Sequence, residues 1–279
     1  MNQSFLRYCL LALLPASLLL SCDHRLDPSP LGQFRLRSVS YNQRTVNGLT
    51  LQSRYYLFSY NLEGILGTYT YDYNLGGRTY FGQYRIRRDA QGKPTAVLSF
   101  DSDTNLGEFI KYSYDAAGRI SLIDIRYRNA TLNPPYTHYD YSVGRYNYLY
   151  SVTNGLLPAR RLVDSLQAGN NTDEVYTFVN GNATTINGTT YTYDDKPNPY
   201  YGLLGFNAFY TFSDNPQFKR APNTPFDNSD LFADVQVKVF NKNNILNNVS
   251  KIDYNADGLV TRIEYNNGNV EEFTYERKP

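Results

Sequence analysis

The sequence predicts an all-β fold, a long antiparallel meander curled into a barrel-like sheet and interrupted by one irregular aromatic loop excursion. Three observations predict it. The 279 residues include 28 Tyr and 15 Phe with no Trp, and aromatic and β-branched side chains favour pleated surfaces. Apolar residues alternate with polar ones: Ile123, Ile125 and Tyr127 are interleaved with Asp124, Arg126 and Arg128, and Val235, Val237 and Val239 with Gln236 and Lys238. That is the period-two signature of strands with one buried face. Turn signals then recur at short intervals along the chain.

The turns come in two kinds. Asn-Gly pairs stand at Asn47-Gly48, Asn154-Gly155, Asn180-Gly181, Asn187-Gly188 and Asn267-Gly268. Both residues tolerate the positive φ that tight hairpins demand, so each pair marks a hairpin. The second kind is a degenerate repeat in which a strand-ending residue, usually aromatic, is followed by Asp or Asn and, three residues on, by Gly. Its copies are Tyr60–Gly64, Tyr73–Gly77, Arg88–Gly92, Tyr114–Gly118, Phe240–Asn244 and Tyr254–Gly258. The Asp or Asn side chain accepts from the backbone N–H two residues on and starts the turn. The Gly closes a type I turn with a bulge, and Asn244 takes that place in the fifth copy at modest cost. Strands joined this way pair with their sequence neighbours, and uneven spacing makes the chain an elaborated meander rather than a strict solenoid. Curling limits the edges that so long a sheet exposes.

From about Pro197 to Asp234 the alternation lapses. Pro197, Pro199, Pro216, Pro222 and Pro225 lie among Asn, Asp and aromatics, which suits an irregular excursion. Its aromatics, including Tyr200, Tyr201, Phe209 and Tyr210, either plug the barrel-like sheet or form a ligand site; loops on a rigid scaffold often carry function.

The amino terminus sets the address. Arg7 precedes an apolar run from Cys9 to Leu20 that is too short to span a bilayer and has the length of a signal-peptide core. It ends in Leu19-Leu20-Ser21-Cys22, which resembles the lipobox of bacterial lipoproteins, with Leu20 bulkier than usual. The expected organisation is a signal peptide over 1–21, a lipid-anchored tether over 22–32 with the lipid on Cys22, and a single β domain over 33–279. Cys9 leaves with the signal and Cys22 carries the lipid, so no disulfide is expected. The formal net charge is +1 with no basic run, which gives no nucleic-acid footprint.

Two further resemblances are carried by specific residues. Tyr112-Ser113-Tyr114-Asp115-Ala116-Ala117-Gly118-Arg119-Ile120 resembles the YD repeat of the bacterial Rhs and wall-associated families. Tyr193-Asp194-Asp195-Lys196-Pro197-Asn198-Pro199-Tyr200, and Tyr254 to Gly258 with the strand behind it, resemble a family of Bacteroidota lipoproteins of unknown function with a porin-like β fold. About half the chain is covered. The resemblance implies a β-rich envelope lipoprotein at the outer membrane or cell surface and supplies no catalytic residues; the chain is far too short for the hollow shell of Rhs proteins.

Candidate chemistry is sparse. Only His24 and His138 are present, and there is no G-x-S-x-G elbow or H-E-x-x-H motif. Adjacent carboxylates, Asp194 with Asp195 and Glu271 with Glu272, point to opposite faces of a strand and make no acid–base pair by themselves. Tyrosine ladders at Tyr69-Tyr71-Tyr73, Tyr146-Tyr148-Tyr150 and Tyr191-Tyr193 place rings on one face, as core filler or as a surface for a glycan or peptide; lack of Trp weakens the glycan reading. Asp253, Asn255, Asp257 and Glu264 fit the EF-hand calcium loop D-x-[DN]-x-[DN]-G-x5-E, yet they coincide with the sixth turn and lack flanking helices, so a hairpin is expected there. The function expected is non-enzymatic: a lipid-anchored envelope protein with a binding or structural role and no cofactor, or else a glycan- or peptide-capture module using the 197–234 loops and the tyrosine ladders; a hydrolase is the third reading and would need carboxylates that only the fold can make converge. A lipid-spanning porin is disfavoured, because charges interrupt any lipid-facing band.

Overall fold

The computed structural model describes residues 31–44, 50–75, 78–101, 107–129, 139–151, 157–164, 171–203 and 239–279. Strands run β1 (Phe34–Arg44), β2 (Thr50–Tyr60), β3 (Leu66–Leu75), β4 (Arg78–Arg88), β5 (Pro94–Asp101), β6 (Gly107–Tyr114), β7 (Ile120–Asn129), β8 (Tyr139–Tyr150) and β9 (Pro158–Asp164). They continue with β10 (Asn171–Val179), β11 (Asn182–Ile186), β12 (Thr189–Thr190), β13 (Tyr193–Pro197), β14 (Asn243–Ile245), β15 (Val249–Tyr254), β16 (Val260–Tyr265) and β17 (Val270–Arg277). Fifteen of these form one antiparallel sheet in which β1 to β12 follow in sequence order, and β1 pairs on its other side with β17, beyond which lie β16 and then β15. The first and last strands are therefore joined inside the sheet. Its edges are β12 and β15, and the small β13–β14 pair lies between them in sequence. The sheet is curled but not closed by a ladder.

Tyrosine fills the concave face. Tyr56, Phe58, Tyr69, Tyr71, Tyr84, Tyr112 and Tyr148 belong to one core with Leu36, Val97, Ile110, Ile123, Val260 and Phe273. Rings pair across neighbouring strands: Tyr69 opposes Tyr84 and stacks on it at 4.6 Å, while Phe58 and Tyr71 lean on this pair at 6.1 and 5.4 Å. Cross-strand aromatic pairs of this kind stabilise a sheet beyond the area they bury. Gly82 makes room for them, since a Cβ there would lie 2.4 Å from the Tyr71 ring. Within the tyrosine ladders, Tyr69, Tyr71 and Tyr148 are thus core.

Four repeat turns form as expected. In the turns beginning at Asn61, Asp89, Asp115 and Asn255, the side-chain oxygen accepts the backbone N–H four residues on, at 2.8 to 2.9 Å. Gly64, Gly92, Gly118 and Gly258 take φ of 75 to 79°, and a bulge falls at the residue preceding each turn. Two copies depart from expectation. The second builds no such turn, because its ladder runs on through Asn74↔Thr79 and Leu75↔Arg78, leaving only residues 76–77 between strands. The fifth makes no hairpin of its own: Asn241 is wholly buried, and Asn243 and Asn244 lie in strand β14.

Among the Asn-Gly pairs, Asn180-Gly181 and Asn187-Gly188 both have positive φ at each residue (54° and 81°, 50° and 78°) and close two-residue hairpins. Asn267-Gly268 differs. Only Gly268 is positive there, and Tyr265 N–H bonds the Asn269 carbonyl while Gly268 N–H bonds Tyr265, the bulged geometry of the repeat turns. Asn47-Gly48 and Asn154-Gly155 lie outside the described residues.

Candidate functional site

One end of the sheet is held by a recurrent lock. The antiparallel ladder leaves carbonyls unpaired where strands end, and such groups need a donor when covered. In β2, β4, β6, β8 and β17, which all arrive at this end, a residue at or near the close of the strand supplies it to one of the first carbonyls of the strand before. Tyr60 donates to Leu36, Tyr114 to Pro94, Tyr150 to Ile120 and Tyr275 to Val260, at 2.6 to 2.8 Å. Arg88 takes the place of tyrosine in the fourth strand and donates to Leu66. A cation caps three of the rings: Arg35 over Tyr60, Lys93 over Tyr114 and Arg119 over Tyr150, at 4.3 to 5.3 Å. Burial pushes Tyr60, Tyr114, Tyr150 and Tyr275 well above the ordinary phenol range.

The opening between the sheet edges is filled by the first residues of the excursion, 198–203, and by the stretch beyond it that begins at Val239. Asn198 N–H bonds the Lys242 carbonyl, the Asn198 amide donates to the Asn241 carbonyl, and Gly202 N–H bonds Val239. Tyr200, Val239 and Phe240 join the main core. The Tyr200 ring meets Phe273 edge-on at 5.7 Å, and Phe240 meets Tyr148 at 6.1 Å. The Tyr200 hydroxyl donates to Glu271, whose other oxygen accepts from Tyr265 at 2.7 Å. Glu271 is only 1% exposed, and its neighbour Glu272 faces solvent, as the alternation of a strand requires. Burial, then the Glu271 charge, drives Tyr200 far above its usual range.

Asparagine side chains stitch this plug to both edges. Asn182 of β11 exchanges two bonds with Asn243, at 2.8 and 2.9 Å, and the Asn241 oxygen accepts the Ala183 N–H at 2.7 Å. Asn247 bonds the backbone of Thr190 and Thr192. On the far side Asp194 accepts from the Asn244 backbone and amide and from the Tyr254 hydroxyl of β15. The two ends of the sheet are thereby brought together through side chains. Sequence reasoning missed Asn182, Asn198, Asn241, Asn243 and Asp194 as closing residues; the density of Asn around the proline-rich excursion was the only signal.

The predicted ligand residues divide. Tyr200 and Tyr201 are 2% and 5% exposed, so both pack inside and neither offers a ring to an external ligand. Phe209, Tyr210 and Cys22 lie outside the described residues, as does the segment 235–238 read as a strand; Val239 lies in a turn. The calcium set does not converge. Asn255 caps its own turn, accepting from Asp257 and Leu259. Asp253 pairs with Lys251 at 2.9 Å and Glu264 with Arg262 at 2.6 Å. Among the described residues no group of three or more His, Cys, Asp or Glu is placed to hold a metal ion. A second buried charge, Arg161, is closed against Glu174 at 2.6 Å, and Tyr176 donates to the same carboxylate.

Among the described residues the outward face is polar. Asp72, Arg85, Arg87, Lys111, Arg145, Arg160 and Asp173 are exposed along β3 to β10, interspersed with single apolar residues such as Tyr55, Phe81 and Leu149. A membrane barrel has the reverse pattern, with an apolar band outside and polar groups within.

No protein-family model matches the chain, and no curated protein sequence does. Among solved structures it is similar to a porin-like protein from Bacteroides uniformis, at 10% identity and a TM-score of 0.37, over 86% of this chain and 98% of that one.

Proposed function

We propose that the chain is an exported lipoprotein whose plugged β body serves a binding or bracing role in the cell envelope, held there by lipid on Cys22. The observation that carries this reading is the inversion of faces. A tyrosine-filled interior occupied by Tyr200, Val239 and Phe240, inside a wall bearing Arg85, Arg87, Lys111 and Arg145, suits a body standing in water beside a membrane. The leader and Leu19-Leu20-Ser21-Cys22 supply the attachment. Glu271 and Glu174 support bracing rather than acid–base work, since their oxygens accept from buried tyrosines and, for Glu174, from Arg161. The glycan- or peptide-capture reading of the 197–234 loops draws no support from Tyr200 and Tyr201, which are packed inside.

Metabolic labelling with an alkyne fatty acid tests the anchor. The wild-type protein should incorporate label, Cys22→Ser should not, and globomycin should accumulate the uncut precursor. Normal cleavage of Cys22→Ser with release of unlabelled protein would overturn the reading.

A further inference from the structure

We infer that the end of the sheet carrying the tyrosine locks and repeat turns rests against the lipid surface, with Leu62 as an apolar contact, and that the opposite end faces away. This rests on the lipid-anchor reading and adds an orientation to it. The first argument is where the chain enters the fold. Leu31 is buried, Phe34 N–H bonds the Leu31 carbonyl at 3.0 Å, and Lys278 donates from its backbone to Gln33 and from its ammonium to Gly32. The tether is thus fastened from Leu31 onward, at the end where β1 begins and β17 finishes.

That is the end of the repeat turns. Successive antiparallel pairings, β17 to β16 and β1 to β2, put turns 61–65 and 255–259 beside the entry point, and turn 265–269 at the other end of β16. Eight residues lie between Cys22 and Leu31, nine Cα-to-Cα steps with a reach of about 30 Å at full stretch. The wall itself is comparable, since the eleven residues of β1 extend about 35 Å before any tilt. To turn the far end to the membrane the tether would have to run nearly straight along the whole wall, a large loss of chain entropy. With the near end down it needs no stretching.

The second argument is the chemistry of the tips. The first tip position of the four repeat turns at this end is apolar and exposed in every case: Leu62, Ala90, Ala116 and Ala256. Leu62 is 93% exposed, far above any other large apolar side chain among the described residues. The same end also carries the Asn180-Gly181 turn, while the turns described at the opposite end, Asn187-Gly188 and Asn266-Asn267-Gly268, present no apolar tip at all. A leucine held out on a rigid turn gains from entering the boundary between headgroups and acyl chains.

The test uses the full-length lipidated protein, extracted from membranes and reconstituted into phosphatidylethanolamine–phosphatidylglycerol vesicles containing a nitroxide lipid. An environment-sensitive fluorophore is attached at Leu62→Cys in one sample and at Asn266→Cys in the other, both solvent-exposed turn positions. Flotation with the vesicles reports the anchor separately. Several-fold stronger quenching at position 62 than at position 266 is expected. Equal quenching, or stronger quenching at 266, in protein that floats would overturn the orientation while leaving the anchor intact. Protein that fails to float would remove the anchor and the orientation together.

Discussion

The meander from β1 to β8 and the seam around β11 to β15 solve one problem, satisfying the ends of strands, by different means. The meander uses local rules repeated. At the turns beginning at Asn61, Asp89 and Asp115 an Asx side chain starts the turn, a glycine closes it, and a tyrosine or arginine one residue earlier bonds a carbonyl of the strand next door. The seam uses non-local amides that occur once each, with Asn182 to Asn243 spanning 61 residues and Asn241 to Ala183 spanning 58. A repeated local device tolerates variation, as Arg88 in place of tyrosine shows. A stitched seam has no second copy of any stitch.

The largest effect expected from this difference is alkaline. Burial raises Tyr60, Tyr114, Tyr148, Tyr150, Tyr176, Tyr200 and Tyr275 above the ordinary phenol value. A folded pKa above the unfolded one gives stability that is complete below the unfolded value and is lost as pH rises through the folded one. Stability should therefore hold to about pH 10 and then collapse, with the buried phenols ionising together as circular dichroism is lost. Smooth titration of all tyrosines near the ordinary value in a folded protein would remove tyrosine burial as the basis of the meander.

Truncation should separate the two regions next. Tyr69→Ala is expected to cost about 4 kcal/mol in urea unfolding, as for other large buried aromatics. Asn241→Ala should cost about 2 kcal/mol by leaving the buried Ala183 N–H unpaired. Its signature is faster amide exchange at Ala183, with the amides of β3 to β6 unchanged. Acceleration throughout the sheet would mean that the seam and meander unfold as one unit.

A single lock should matter less. Tyr114→Phe keeps the ring under Lys93 and loses the bond to Pro94, so about 1 kcal/mol is expected; no change would show that the carbonyl finds water instead. Smallest of all is calcium. Because Asn255 is engaged in its turn and Asp253 and Glu264 are paired with cations, millimolar calcium after chelation should leave the unfolding temperature where it was. An increase of several degrees, abolished by Asp257→Ala, would turn this hairpin into a metal loop.

The sequence by itself determined the all-β class, the order of the strands in the meander and four of the repeat turns. These depend on neighbours within five residues: an Asx oxygen meeting its own downstream N–H, a glycine free to adopt positive φ, and alternation that selects one face. Tertiary structure alone decided that Asn74 joins a ladder while Asn61 starts a turn, and that Asn241 serves β11 rather than its own hairpin. It decided too that Tyr200 and Tyr201 face inward, that Glu271 is held by two phenols, and that β1 lies between β2 and β17. Each of those outcomes depends on partners tens to hundreds of residues away, and a buried polar group takes whichever partner the surrounding strands bring within reach.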